Sequence, residues 1–163
     1  MAIYLKLDGV DGESVKDGHE KWIEVLSFNW GANSPTSVAQ GGGLAAGTVS
    51  LGEMSVVCAS GKASLLLLHF LTKGKHFGEI TVDFTKATGE DTEGVWWQIK
   101  STSGFITSYN NSATGGGYEE PPTDSLTIAL GEYTQEIWEQ KTEGGALESA
   151  GTHGFDIKKK KAS

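Results

Sequence analysis

The sequence contains no arginine: its 13 basic residues are all lysine, set against 21 carboxylates, for a formal net charge of −8. Arginine's planar fork is the usual bidentate reader of phosphates and base edges. Its absence, together with the acidic balance, argues against nucleic acid as a partner and against anionic membrane surfaces. The one cysteine, Cys58, excludes an internal disulfide framework and a clustered-cysteine zinc site. With 3 prolines the chain is not of the disordered Pro/Gly-rich type. No run approaches the roughly 18 apolar residues that span a bilayer; the longest, residues 64–71, is interrupted by His69. Residues 1–7 lack a basic region followed by a long apolar run and a cleavage site, so we expect cytoplasmic synthesis without a secretory export signal.

What is abundant is glycine, 23 of 163 residues, about twice average usage. A chain of this length can bury a core without staples and suits one domain over residues 1–163, with residues 158–163 (Lys158–Lys161 among them) expected as a flexible, solvated tail. Most of it reads in period two. Leu26, Phe28 and Trp30 share a face opposite Ser27 and Asn29; Ile80, Val82 and Phe84 alternate with Glu79, Thr81 and Asp83; Leu126, Ile128 and Leu130 alternate with Ser125, Thr127 and Ala129. These are strands with one buried face. Phase slips beside Gly52 and Gly131 predict β-bulges, and long strands that bend predict a barrel rather than a flat sandwich. Residues 61–74 break the period. They are leucine-rich, with Ser60 as N-cap and Gly74 beyond Lys73, and predict a helix of three turns whose nearly all-round apolar surface should be covered on most sides. The glycine-rich stretches 33–47, 110–117 and 142–151 read as loops, the first long enough to be functional.

No residue set resembles reactive chemistry. His19, His69, His76 and His153 are scattered, and Cys58 has no lysine or histidine beside it in sequence, so a buried inert thiol is expected. Glu119 and Glu120 are adjacent, and neighbours in an extended chain point to opposite sides, unlike the paired carboxylates of glycoside hydrolysis. Gly41–Gly43 and Gly115–Gly117 lack the lysine and the helix of a phosphate loop. We therefore expect no catalytic residue, no metal and no cofactor. Trp30 and Trp97 fall in apolar rows, which leaves Trp22, Trp96 and Trp138 as candidates for a sugar-stacking face.

Two segments, residues 3–14 (IYLKLDGVDGES) and 22–31 (WIEVLSFNWG), resemble the opening motifs of the haemolysin-coregulated protein (Hcp) family. The likeness continues through the glycine-rich stretch, the single helix ending at Gly74-Lys75-His76-Phe77, and the closing Gly154-Phe155-Asp156-Ile157. The resemblance implies a mainly β fold, a β-barrel of two packed antiparallel sheets with one flanking α-helix. It implies a tube subunit of the type VI secretion system: hexameric rings that stack into an inner tube, capped by a spike protein (VgrG), surrounded by a sheath, carrying effectors in the lumen and expelled from the cell. Within that frame the loop residues Val38, Gln40, Gly41, Gly42, Gly43 and Leu44 are expected to reach an adjacent ring or subunit, and Ser27 and Asn29 to face the lumen. A phage-like contractile tail-tube protein would share this architecture. A β-sandwich carbohydrate-binding module, monomeric and working through exposed tryptophans, remains a reading of a different class.

Overall fold

In a computed structural model, the structure describes residues 1–38, 44–88, 93–117, 119–140, 146–159 and 161–162. The elements in order are β1 (Ala2–Leu7), β2 (Ile23–Asn29), β3 (Ala32–Asn33), β4 (Thr36–Val38), β5 (Leu44–Ala46), β6 (Ser50–Leu51) and β7 (Met54–Ala59). Then come α1 (Lys62–Lys73), β8 (His76–Phe77), β9 (Ile80–Ala87), β10 (Glu93–Ser101), β11 (Gly104–Ser112), β12 (Thr123–Leu130), β13 (Glu132–Gln140), β14 (Leu147–Asp156) and β15 (Lys161–Ala162). The fold is mainly β and antiparallel, with a single helix among the described residues.

Hydrogen bonding links eleven strands into one sheet, in the order β15-β14-β13-β10-β9-β1-β2-β7-β12-β11-β8. The ladder does not close, so the pairing itself gives one sheet with two ends rather than two separate sheets. The sheet nevertheless curls onto itself. Strands lie about 4.8 Å apart, so β9 and β11, five steps apart in that order, would stand roughly 24 Å apart if flat. Instead a Cβ built on Gly104 of β11 would lie 2.5 Å from Cδ1 of Ile80 of β9, which is why that position has no side chain. Trp30, just after β2, meets Tyr133 of β13 edge-on at 4.6 Å across a similar gap. Both halves thereby share one core, in which Leu5, Met54, Val82, Ile99, Leu126 and Ile128 are almost fully buried.

Curling requires irregularity, and most of it is found where glycine does not mark it. One extra residue bulges out of β2 at Leu26, out of β10 at Trp96, out of β11 at Thr107 and, beside Gly151, out of β14 at Ala150. The bulge in β2 turns Leu26 outward, 63% exposed, while Ile23 and Val25 face the core and Phe28 packs against it. The expected core row of Leu26, Phe28 and Trp30 is thus corrected at Leu26. The two glycines expected to mark bulges instead break strands. Gly52 separates β6 from β7 and donates its N–H to Gly31 (2.8 Å); Gly131 separates β12 from β13, which lie six places apart in the sheet.

Two buried polar networks fasten the outer elements. Asp124 of β12, 1% exposed, accepts hydrogen bonds from Ser60 (2.7 Å), Tyr109 (2.9 Å), Asn111 (2.8 Å) and the Ser64 hydroxyl. Ser60 and Ser64 flank the start of α1, so this carboxylate ties the helix to the sheet. The Ser60 hydroxyl is thereby used on Asp124. The N-cap is Gly61, one residue later than expected, and its N–H goes to the Ser64 hydroxyl (2.9 Å). At the other end Gly74 takes the left-handed conformation (φ 60°) that closes the helix. On β9, Thr81, Asp83 and Thr85 are buried, not solvated as their alternation implied. The connection between β1 and β2 returns over them, and its His19 pairs with Asp83 (2.9 Å) while stacking on Tyr4 (4.4 Å). Gln98 takes the other Asp83 oxygen (2.7 Å).

The stretch 147–151, read as loop, belongs to the ten-residue strand β14, and 110–112 end β11. Their small exposed residues carry no alternation, and it is the neighbouring strands that order them. Of the expected tail, Lys158 and Lys159 are exposed, and Lys161–Ala162 pair with Phe155 and Asp156.

Burial pushes the Asp124 carboxyl upward, but hydrogen bonds from Ser64, Asn111, Ser60 and Tyr109 outweigh it and hold it below the usual carboxylate range. The folded-state value thus lies below the unfolded one, so the stabilisation is complete above the unfolded value of about 3.9 and is lost as pH falls through the folded value. Asp124→Asn sets donor against donor. We expect it to lower the urea-unfolding free energy at pH 7 by about 2 kcal/mol, and its deficit relative to the parent to shrink as the titration is taken below about pH 4.

Candidate assembly surfaces

The segment expected as a loop over 33–47 is a β-hairpin arm. At its root Ala32 and Asn33 pair with Leu51 and Ser50; further out Thr36, Ser37 and Val38 pair with Ala46, Ala45 and Leu44. Between the two ladders Gly47 donates to the Pro35 carbonyl (2.7 Å) and the Ser34 hydroxyl donates to the Gly47 carbonyl (3.1 Å). Residues 31–36 and 47–50 are exposed along its length. Val38 and Leu44, two of the expected contact residues, are thus cross-strand partners, whereas Gln40, Gly41, Gly42 and Gly43 lie outside the described residues. The arm is rooted in the core by Trp30, whose Nε1–H donates to the Gly52 carbonyl (3.1 Å) while its ring meets Tyr133.

Ser27 and Asn29 are exposed on β2. Elsewhere the surface carries exposed apolar residues. Leu26 is one; on α1, Leu65 (80% exposed), Leu66 and Leu68 face outward, while only Ala63 and Leu67 of that helix are buried. Within one chain the helix is therefore covered on one side, by the sheet, and the cover expected on its other side is left to a neighbouring subunit. Among the described residues the sheet's two margins are also incompletely paired: β8 covers Gly104 and Phe105 of β11, and β15 covers Phe155 and Asp156 of β14.

A cleft of about 270 Å³ separates the start of α1 from the β1–β2 connection, with Gly12, Ser14, Ile23 and Ala59 in its wall. Glu13 of that connection reaches across and accepts the Lys62 backbone N–H (2.9 Å), so the positive end of the helix is already met by a carboxylate of the same chain. The polar networks offer structural, not nucleophilic, geometry. Asp124 is surrounded by hydroxyls and an amide without a histidine, and burial together with Asp124 pushes the Cys58 thiol up to about 11, far from a thiolate at neutral pH. Sequence reasoning missed the Asp124 and Asp83 networks, whose members meet only through strand pairing. The spacing of Ser60 and Ser64, one helical turn apart, was the sole local trace of the first. All five tryptophans are half-buried, Trp30 and Trp97 packed against other aromatic rings of the core.

A family model described as "Type VI secretion system effector, Hcp" matches residues 4–137. The chain belongs to the Hcp family. Among solved structures, a type six secretion system protein is 31% identical and superposes with a TM-score of 0.90, covering 99% of both chains. Hcp1 from Salmonella typhimurium is 26% identical (TM-score 0.78, covering 99% of this chain and 98% of that one), and a type VI secretion system effector from Yersinia pestis is 25% identical (TM-score 0.71, 95% and 99%). No curated protein sequence matches the chain. Among the described residues no helix is long and apolar enough to cross a membrane. The Hcp motifs fall on β1, the β1–β2 connection and β2, where they supply Glu13 to the helix and Leu5, Leu7, Ile23 and Val25 to the core.

Replacing Trp30 by Phe keeps the aromatic plug at the arm's root but deletes its N–H. We expect Trp30→Phe to cost about 1 kcal/mol in chemical denaturation. In hydrogen–deuterium exchange it should speed the Gly52 amide, whose bond to Gly31 spans the root, while β9 and β12 stay protected.

Proposed function

We propose that this Hcp-family chain is a structural tube subunit of the type VI secretion system. Six copies form a ring, rings stack into the inner tube, and the tube leaves the cell through that machine. In this reading the curled sheet acts as the barrel wall of the ring. The spike protein (VgrG) caps the tube, the sheath encloses it, and effectors travel in the lumen. The observation that carries the reading is the match over essentially the whole chain to a type six secretion system protein, at 31% identity and a TM-score of 0.90.

The physical features are those a ring subunit needs. A heterologous ring requires two different surfaces that fit one another on neighbouring copies, and this chain exposes apolar side chains and open strand margins in several places. The arm has the reach to touch a second ring, through Val38 and Leu44 on its paired strands and Gln40, Gly41, Gly42 and Gly43 between them. Ser27 and Asn29, small, polar and exposed, suit a wetted lumen wall. No reaction is assigned to the chain.

Light scattering of the purified protein should give six times the 17.3 kDa chain mass, and negative-stain images should show annular particles. A particle that stays at one chain mass at every concentration defeats the ring. Deletion of residues 40–44 should leave the rings intact and abolish stacked tubes and secretion. Tubes that persist without those residues remove the arm from the inter-ring contact.

A further inference from the structure

Two exposed patches of this chain have opposite charge and complementary shape. The helix α1 contains lysine at both ends, Lys62 and Lys73, with Lys75 just beyond, and no carboxylate at all. None of these three lysines has a carboxylate within ion-pair distance among the described residues. Between them stand Leu65, Leu66 and Leu68, exposed in the single chain. The strands β13 and β14 are the converse. They hold Glu132, Glu136, Glu139, Glu148 and Asp156 and no lysine, Lys141 falling in the connection outside the described residues. On one of its faces lies a hollow of about 290 Å³ lined by Gln135, Ile137, Ala150, Gly151, Thr152 and His153. Ile137 is exposed there, and Gly151 opposite it presents no side chain, so the floor of the hollow is bare. At one end Glu139 and Glu148 stand in register with each other.

We propose that α1 of one copy seats its Leu65–Leu68 face in the β13–β14 hollow of the next copy, with Lys62 and Lys73 directed to the carboxylates around it. This rests on the ring reading above and specifies its lateral contact. The occupant follows from three facts. The hollow exposes an aliphatic side chain, and the charged residues of its two strands are all carboxylates. The matching knob, leucines on a helix whose charged residues are all lysines, is carried by the same chain. The two patches are not each other's cover within one chain, since both are exposed, and they sit towards opposite ends of the strand order: α1 packs on β11, and the hollow belongs to the third and second strands from the other margin. A knob and a hole at different places on one molecule make a head-to-tail contact, which propagates from copy to copy.

The test uses two full-length variants, Leu65→Glu and Ile137→Glu. Leu65 is 80% exposed and Ile137 41%, so neither change touches the core, and far-ultraviolet circular dichroism with thermal unfolding checks that each variant keeps the parent fold. Each variant alone is expected to elute as a single chain while the parent assembles. Mixed at equal concentration, they are expected to form a dimer of twice the 17.3 kDa chain mass and nothing larger, because the mixture retains one intact knob and one intact hole. If the parent assembles and either variant still does, or if the mixture stays at one chain mass, this contact is wrong while the ring stands. If the parent itself never assembles, the ring reading and this contact fall together.

Discussion

The constraint on which the rest of the structure depends is that one long sheet must bury its apolar face against itself. Eleven strands joined edge to edge, if flat, would leave Leu5, Val82, Ile99 and Leu126 facing water, with one helix to cover them. Burial of such side chains contributes about 1.5–3 kcal/mol each, so the stable arrangement brings β9 against β11 and β2 against β13. The price is local irregularity, and it appears as four bulges that each push one residue out of register. The helix then has no apolar surface left to sink into except along β11 and β12. It touches the core through Ala63 and Leu67, with Phe70 and Leu71 packed partly buried against it, and is held at its start by two carboxylates, Asp124 from the sheet and Glu13 from the β1–β2 connection. A helix that sinks only this one stripe keeps Leu65, Leu66 and Leu68 outside, which is unfavourable for a solitary chain and useful for one that associates.

Legibility in the sequence followed where the signal is local. The helix was readable because a leucine run without β-branched residues, closed by Gly74, admits little else; its N-cap was misplaced by one residue because the Ser60 hydroxyl serves Asp124. The rows of β9 and β12 were readable on their core side. The opposite side of β9 was not, because Thr81 and Asp83 look like solvent-facing residues until the connection bearing His19 folds over them. Leu26 was misread because a bulge without glycine leaves no mark in a hydrophobic row. The arm was visible as a length anomaly, but its pairing was not: alanine, serine and glycine have weak strand preference, and the ladder between Thr36–Val38 and Leu44–Ala46 exists because its root is pinned at Trp30 and Gly52. Family membership was legible from the motifs of β1 and β2, since those residues serve the core and the helix anchor together.

The charge pattern is the remaining link between sequence and assembly. A net charge of −8 spread evenly would make copies repel one another. Here the sign is sorted by element, with lysine alone on α1 and carboxylates alone on β13 and β14. Exposed ion pairs contribute little each, about 0–1 kcal/mol, so this sorting cannot by itself hold two copies together. What it does is choose orientation: α1 against α1, or hairpin against hairpin, sets like charge on like charge, and only the head-to-tail approach is free of that penalty. Affinity then has to come from the leucines and the hollow they fill. A contact so built is directional, and a directional contact between unlike patches gives a ring when its rotation closes and a helical filament when it does not. In the proposed contact the angle between neighbours would be set where α1 leaves the sheet, at Asp124 and Glu13, and not in the apolar interior, so the same chain could serve either outcome with its core unchanged.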